Sequence, residues 1–187
     1  EAIKAAGLEL LPVRRKYIIV TKSVMVNLDD GAWARLDPSK YLEINIEITF
    51  DDAAIGNQTL TYHHGNGSFA AELARARTFC QLRDVELLKN CGLVLGGSLD
   101  NAVVVDGGRI LNDGGLRMEH EFVRHKALDC LGDLLLLGRP VKAKMTAHRP
   151  GHALSTKLVQ TLLNDPSAFK VVEAGNTESR SDSFVLP

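Results

Sequence analysis

Little in this chain ties it to an oxidising compartment, a membrane or a polyanion. Cysteine is scarce: three residues in 187, an odd number, with no C-x-x-C spacing. Cys80, Cys91 and Cys130 therefore read as reduced thiols of a cytoplasmic protein rather than as a disulfide framework. No long hydrophobic run occurs. The most apolar stretch, Leu134 to Leu137, is far too short to cross a bilayer, so no integral membrane association is expected. Neither charge sign prevails, with 22 Lys and Arg against 23 Asp and Glu, which gives no basic surface for nucleic acid. The glycines of Leu95-Gly96-Gly97-Ser98 lack the Gly-Lys-Ser/Thr of a phosphate-binding loop, and no nucleophilic serine elbow or cysteine–histidine pair stands out. An initiator Met is also missing. Residues 1–6 read as the end of a helix stopped at Gly7, as expected of a cut partway through a longer protein.

What is present suits one large soluble domain: 45% apolar and 24% charged residues. Strands are expected at Tyr17 to Val20, Ser23 to Leu28, Ala32 to Leu36, Tyr41 to Phe50 and Gln58 to Tyr62, forming an antiparallel meander. The fourth alternates strictly, with Leu42, Ile44, Ile46 and Ile48 on one face and Glu43, Asn45, Glu47 and Thr49 on the other. Helices are expected after Ser68 towards Arg75, over Arg83 to Asn90, over Glu121 to Leu137 and over Ser155 to Asn164. In the third, Phe122, Leu128, Leu131 and Leu135 supply the apolar stripe. Val141 to Ala147 reads as one strand. The glycine-rich span 92–112 reads as a compact excursion of the kind that shapes ligand pockets. The fold class is α+β, an antiparallel sheet layered against helices as a two-layer sandwich, with a small inserted subdomain. Residues 1–16 are read as the end of a preceding domain plus linker, 17–172 as the main domain and 173–187 as a disordered tail.

The chemistry centres on His125-Lys126-Ala127-Leu128-Asp129. Four residues apart on a helix, His125 and Asp129 share one face, and an imidazole nitrogen and a carboxylate oxygen there can chelate one metal ion. Asp133 continues that face one turn on. Spacing alone equally describes an ordinary surface contact, and two ligands leave a catalytic zinc one short. His152, in a turn between a strand and a helix, can present its ring to a site. His63 and His64 read as loop-tip residues, and His120 and His148 as surface groups. Arg75-Ala76-Arg77-Thr78-Phe79 reads as an exposed basic helix end, able to meet an anionic or polar ligand.

Four motifs occur together and in order: Arg75-Ala-Arg-Thr-Phe79, Leu95-Gly-Gly-Ser-Leu-Asp-Asn-Ala-Val-Val104, Glu121-Phe-Val-Arg-His-Lys126 with Asp129 and Asp133, and Gly151-His-Ala-Leu154. On them the chain resembles the C-terminal half of the UDP-3-O-acyl-N-acetylglucosamine deacetylase family. The resemblance implies hydrolysis of the 2-acetamido group of UDP-3-O-acyl-N-acetylglucosamine to acetate and the free amine, in lipid A synthesis in the cytoplasm of a Gram-negative bacterium. It implies Zn2+ as cofactor, with Fe2+ an alternative for the same ligands. His125 and Asp129 match two zinc ligands; His152 matches the histidine that stabilises the oxyanion, and Asp133 the carboxylate that orients it. Thr78, Phe79 and Lys126 match residues lining the substrate site. Val94, Gly97, Ser98, Leu99 and Ala102 match the insert that forms a passage for the 3-O-acyl chain.

The resemblance also implies a partner, the N-terminal domain of the same protein, which carries the third ligand histidine and the base glutamate. Nothing in this chain resembles that domain, so the chain alone is expected to bind zinc poorly and not to turn over. Cys80-Gln81, Arg149-Pro150 and Ser155-Thr156 depart from the family pattern at the edge of the site. The competing reading is a catalytically inactive sugar-nucleotide or acyl-chain binding domain derived from that family. A plain interaction module with incidental histidines does not explain four ordered motifs.

Overall fold

The computed structural model describes residues 2–7, 9, 11–65, 69–92 and 95–174. A short helix α1 (Ala2–Ala6) ends at Gly7, whose φ of +83° is the left-handed conformation that glycine adopts without a Cβ clash. Five strands follow: β1 (Lys16–Val20), β2 (Val24–Asn27), β3 (Trp33–Asp37), β4 (Glu43–Thr49) and β5 (Asn57–His63). After a π-helical turn at Phe69–Leu73 come β6 (Thr78–Gln81), α2 (Leu82–Asn90), β7 (Ala102–Asp106) and β8 (Arg109–Ile110). The chain continues through α3 (Glu121–Leu134), a 3-10 turn (Leu135–Leu137), β9 (Val141–Lys142), β10 (Lys144–His148), α4 (His152–Leu163) and β11 (Phe169–Glu173).

The α+β sandwich is present. The main sheet has five strands in the order β2-β3-β10-β4-β5, and α3 and α4 pack on one face of it. Ile44, Ile46 and Ile48 of β4 point into that layer, buried, while Asn45 and Glu47 face outward. Phe122, Val123, Ala127, Cys130 and Leu134 of α3 and Leu154, Leu158 and Leu162 of α4 complete the core. Cys130 meets Ser155, and Asp133 meets His152, so numbers fall along α3 as they rise along α4: the two helices are antiparallel.

Several expectations change. The strands do not form a continuous meander, because β10 separates the two hairpins and runs parallel to β4 while antiparallel to β3. The single strand expected over Val141 to Ala147 divides at Ala143. Its first part pairs with β1 in a separate sheet of order β11-β1-β9, and its second enters the main sheet. β11 was not anticipated, although Phe169 to Glu173 pairs residue for residue with β1. The apolar stripe of α3 is rotated from the expected one: Leu128 and Leu131 are only partly buried and Leu135 is 68% exposed. The helix tightens into a 3-10 turn before Gly138, which swings Leu135 and Leu136 off the core face. The last helix starts three residues earlier than expected, with Gly151 as its N-cap, so His152 is its first residue. The excursion at 92–112 belongs to a larger unit that begins at Thr78, since β6 and β7 pair in parallel across α2 and β8 closes a hairpin. Of the span 173–187 read as a tail, Glu173 ends β11 and residues 175–187 lie outside the described residues, as do Ser68, Leu93 and Val94.

Leu158 on α4 is fully buried, whereas Leu163 on the same helix is 43% exposed. Replacing Leu158 by Ala is expected to cost about 2–5 kcal/mol, and Leu163→Ala under about 1 kcal/mol. Urea unfolding midpoints measure the difference; equal losses would contradict the placement of α4.

Candidate functional site

His125 and Asp129 face the same way on α3, with Nε2 and Oδ2 3.4 Å apart and side chains 14% and 17% exposed. Lys126 reaches the same carboxylate oxygen at 3.5 Å. Phe79, delivered by β6, stands edge-on to the His125 ring at 6.1 Å, and the Lys126 ammonium lies 5.6 Å from its centroid. Phe79 is held from behind by Phe122 at 5.0 Å and Phe50 at 5.4 Å. The aromatic wall therefore belongs to the core as much as to the site.

Beside this cluster lies a second pair. His152 Nδ1 sits 3.1 and 3.0 Å from the two oxygens of Asp133, with the carboxylate 16% exposed and the imidazole 69% exposed. That contact leaves Nε2 as the nitrogen available outward. Burial lowers the pKa of His125; Asp129 opposes this, while Lys126 and His152 add to it. The influence of His152 places both pairs within one electrostatic field. A lowered value keeps His125 neutral near pH 7, the form that donates a lone pair to a metal.

Do these residues fit a metal ion? His125 Nδ1 is buried with no hydrogen-bond partner among the described residues. In the tautomer protonated at Nδ1, the Nε2 lone pair faces a carboxylate oxygen, and a cation fits between the two. Their 3.4 Å separation matches the edge, about 3.4 Å, of a tetrahedron with bonds of about 2.1 Å, the length typical for zinc with N and O ligands. The donor types and spacing fit. Among the described residues no third His, Cys, Asp or Glu joins them in a group that could hold a metal. One Glu-His dipeptide does occur, Glu119–His120, which the motif reading passes over. It lies just before α3, with His120 at a left-handed φ of 54° and paired to Glu119 at 3.3 Å, and it does not group with His125 and Asp129.

The other expected positions are distributed around this centre. Thr78 is exposed on β6, and its register partner on β7 is Ala102, so the two lie at the same end of the small sheet. Gly97, Ser98 and Leu99 lie in the exposed turn before β7, and no described contact joins them to His125. The exposed apolar side chains of that unit, Leu82, Leu87, Leu95 and Leu99, are grouped in its sequence and unburied. Val94 lies outside the described residues. His63 contacts Glu43 and His148 contacts Glu47, at positions of β5, β4 and β10 that alternate with the buried ones and so lie on the sheet face away from α3. His64 is half-buried against the Tyr62 hydroxyl rather than at a free tip, and burial lowers its pKa. Cys130 is buried behind α3, where burial pushes its thiol up to about 12 and removes it as a nucleophile. Two cavities of about 250 and 260 Å3 occur; neither includes the His125–Asp129 pair, which lies on an open face.

Two residues that sequence reading undervalued organise this region. Arg77, expected to be exposed, is 9% exposed and forks onto Glu121, which is fully buried at the first position of α3. Glu121 accepts hydrogen bonds from the Arg77 backbone N–H (2.9 Å), Arg77 Nε (2.9 Å), Arg77 Nη2 (3.1 Å) and the Arg117 backbone N–H (2.6 Å). Burial alone would raise its pKa, but these donors outweigh it and hold the carboxyl below the usual glutamate range. The available signal was a carboxylate immediately before Phe122 and Val123, both core residues.

Taken together, this is an α+β domain in which His125, Lys126, Asp129 and Asp133 share a partly buried face of α3, with His152 of α4 paired to Asp133 beside them. Residues 1–164 match the family described as UDP-3-O-acyl N-acetylglycosamine deacetylase, and the chain belongs to that family. It is 45% identical to the UDP-3-O-acyl-N-acetylglucosamine deacetylase of Myxococcus xanthus over 94% of this chain and 56% of that protein. The Campylobacter fetus enzyme of the same name is 46% identical over 89% of this chain and 56% of its own length. That of Chromobacterium violaceum is 40% identical over 97% and 60%. The chain thus spans somewhat over half the length of these relatives. No described helix is long and apolar enough to cross a membrane.

Because the folded pKa of Glu121 lies below its ordinary 4.5, its contribution is fully present above that pH and is lost as pH falls through the folded value. Glu121→Gln is expected to cost about 3 kcal/mol near pH 7 by stranding Arg77, with the gap to the parent narrowing in acid. Urea unfolding at neutral and acidic pH would test this. A gap that does not change with pH would mean that the carboxylate is not the ionised partner.

Proposed function

We propose that this chain carries the His125–Asp129 portion of a zinc-dependent deacetylase acting on UDP-3-O-acyl-N-acetylglucosamine in the cytoplasm, in lipid A synthesis. The observation that carries the reading is the His125–Asp129 spacing of 3.4 Å on a half-buried face, next to a second histidine held by its own carboxylate. His125 and Asp129 would hold the ion, Zn2+ in the first instance and Fe2+ by the same ligands, with a further ligand from another portion of the protein. When bound, the ion supplies Lewis acidity toward water and toward the amide carbonyl.

The remaining roles follow from this chain's own groups. Asp133 accepts a hydrogen bond from Nδ1–H of His152 and fixes the ring, so in the protonated imidazole Nε2–H is the group that donates to developing negative charge on the carbonyl oxygen. Once water has added to the carbonyl, the Nε2 proton is placed to reach the departing amine as the C–N bond breaks, giving acetate and the free 2-amine. The Lys126 ammonium, held between Phe79 and Asp129, adds a fixed positive charge beside the reacting carbonyl. Thr78 and Phe79 border the substrate, and the loop at Gly97–Leu99 with Ala102 borders the acyl chain. A binding-only domain would need neither His–Asp pair.

Acetate release from UDP-3-O-acyl-N-acetylglucosamine by the full-length gene product is the test. Activity should vanish with a chelator and with His125→Ala. His152→Ala should lower kcat by about 100–1000-fold, and Asp133→Asn by about 10–100-fold. The 187-residue chain alone should neither hold zinc tightly nor release acetate. Full activity of His125→Ala, or turnover insensitive to chelation, would sink the proposal and leave the binding-domain reading.

A further inference from the structure

We infer that Asn112 and Arg117 are positioning residues that set the enzyme's grip on the acyl chain by latching the loop of residues 98–102. The inference rests on the deacetylase reading above, in which that loop borders the acyl chain. Within the loop the Asn101 and Ala102 N–H groups donate to the Ser98 carbonyl at 3.2 and 3.0 Å, the Ser98 N–H donates to Asn101 Oδ1, the Asp100 N–H to Ser98 Oγ, and Asn101 Nδ2 to the Gly96 carbonyl. The Leu99, Asp100 and Ala102 carbonyls are caught by side chains from the segment before α3. Asn112 Nδ2 donates to the Leu99 carbonyl at 2.6 Å and to the Ala102 carbonyl at 2.8 Å. Arg117 Nη2 donates to the Asp100 carbonyl between them at 2.8 Å.

Asn112 is only 7% exposed, and its Oδ1 accepts from the Val104 N–H at 3.0 Å. A donor pair on one side and an acceptor on the other fix the amide's orientation, because a flipped amide would set its oxygen against two carbonyls. No other side chain of this size meets all three groups. Aspartate would repel the carbonyls, and leucine would strand the Val104 N–H.

The latch is referenced to the metal-ligand helix. The Arg117 backbone donates to Glu121 at the first position of α3, and Arg77 closes the ring by donating to the Gly115 carbonyl. Behind the loop is a cavity of about 260 Å3 lined by Leu99, Asp100, Asn112 and Arg117 among others. An unlatched loop therefore keeps its internal hydrogen bonds but has room to shift as a unit into that space. Leu99, 49% exposed on the loop, would shift relative to His125 on α3. Selectivity for a long acyl chain should thus depend on two residues that need not touch it.

The test compares the full-length enzyme with Arg117→Ala and Asn112→Asp, using the long-acyl substrate and an analogue bearing a short acyl chain. The Arg117 side chain is exposed and its described bond is to the loop, so its removal leaves the core intact. Arg117→Ala should lower kcat/KM on the long-acyl substrate about tenfold, carried by KM, and change the short-chain value less than twofold. Amide exchange at Asn101 and Ala102, measured on the chain itself, should quicken about tenfold. Equal losses on both substrates, or unchanged exchange, would overturn the latch and leave these residues a general structural role. A parent enzyme that treats both substrates alike would overturn the acyl-chain reading of the loop, and with it the assignment of grip, while the exchange result still reports on the latch alone.

Discussion

The Glu121 carboxylate is the point through which the site is assembled. It is fully buried, and burying a carboxylate is costly unless hydrogen bonds and an opposite charge replace its hydration. Four N–H groups do so, and they come from two separate segments, 76–78 and 115–117. Since Glu121 opens α3, its position near the positive end of the helix adds to the same balance. Each donor segment continues directly into functional chain. Arg77 is followed by Thr78 and Phe79, and Arg117 ties back to the 98–102 loop. Displacing the carboxylate would loosen the aromatic wall, the insert and the start of the ligand helix at once.

α3 must satisfy two demands that conflict. Its inner face packs on β4 and β5 and is apolar, yet His125, Lys126, Asp129 and Asp133 stand at its margin with only 14–22% exposure. Half-buried charges are tolerable there because each has a partner: Asp129 has His125 and Lys126, and Asp133 has His152. The antiparallel packing of α4 is what makes the last pair possible, since it brings the first residue of one helix against the last turns of the other. The margin is dry enough to lower the pKa of His125, yet these side chains keep part of their surface exposed.

How much of this was legible depends on the range of the interactions. The alternation of β4 was readable because one of its faces is solvated, and the His125–Asp129 relation because it is local to one helix. The insertion of β10 between β3 and β4 was not, because it joins segments about a hundred residues apart and leaves no local pattern. The divided strand at Ala143 was hidden for the same reason: each half alternates alike, and only the partner differs. His152 was misplaced into a turn because Pro150-Gly151 reads as a breaker, while the structure uses Gly151 as the cap. Arg77 and Asn112 were undervalued because polar residues in short connections are usually solvated. Their partners, Glu121 and four backbone groups, are distant in sequence or belong to no side-chain motif. Motif order identified the family and its expected site positions; it carried no information about what holds those positions still.

On the proposed reading, that division has a consequence for the metal. A pair of ligands already at tetrahedral spacing, with the imidazole kept neutral by burial, gains little further order on binding an ion. The domain's share of the site is therefore preorganised, and the rigidity comes from Glu121 and the Phe79 wall rather than from the metal. A third ligand arriving on another portion of the protein would complete a site whose geometry is already set. Metal affinity would then report on docking of that portion, and the folding of this domain would be largely independent of it. This is the opposite of a small metal-stapled domain, where ligands find their geometry only when the ion binds. The buried core of five-stranded sheet and paired helices is what permits it.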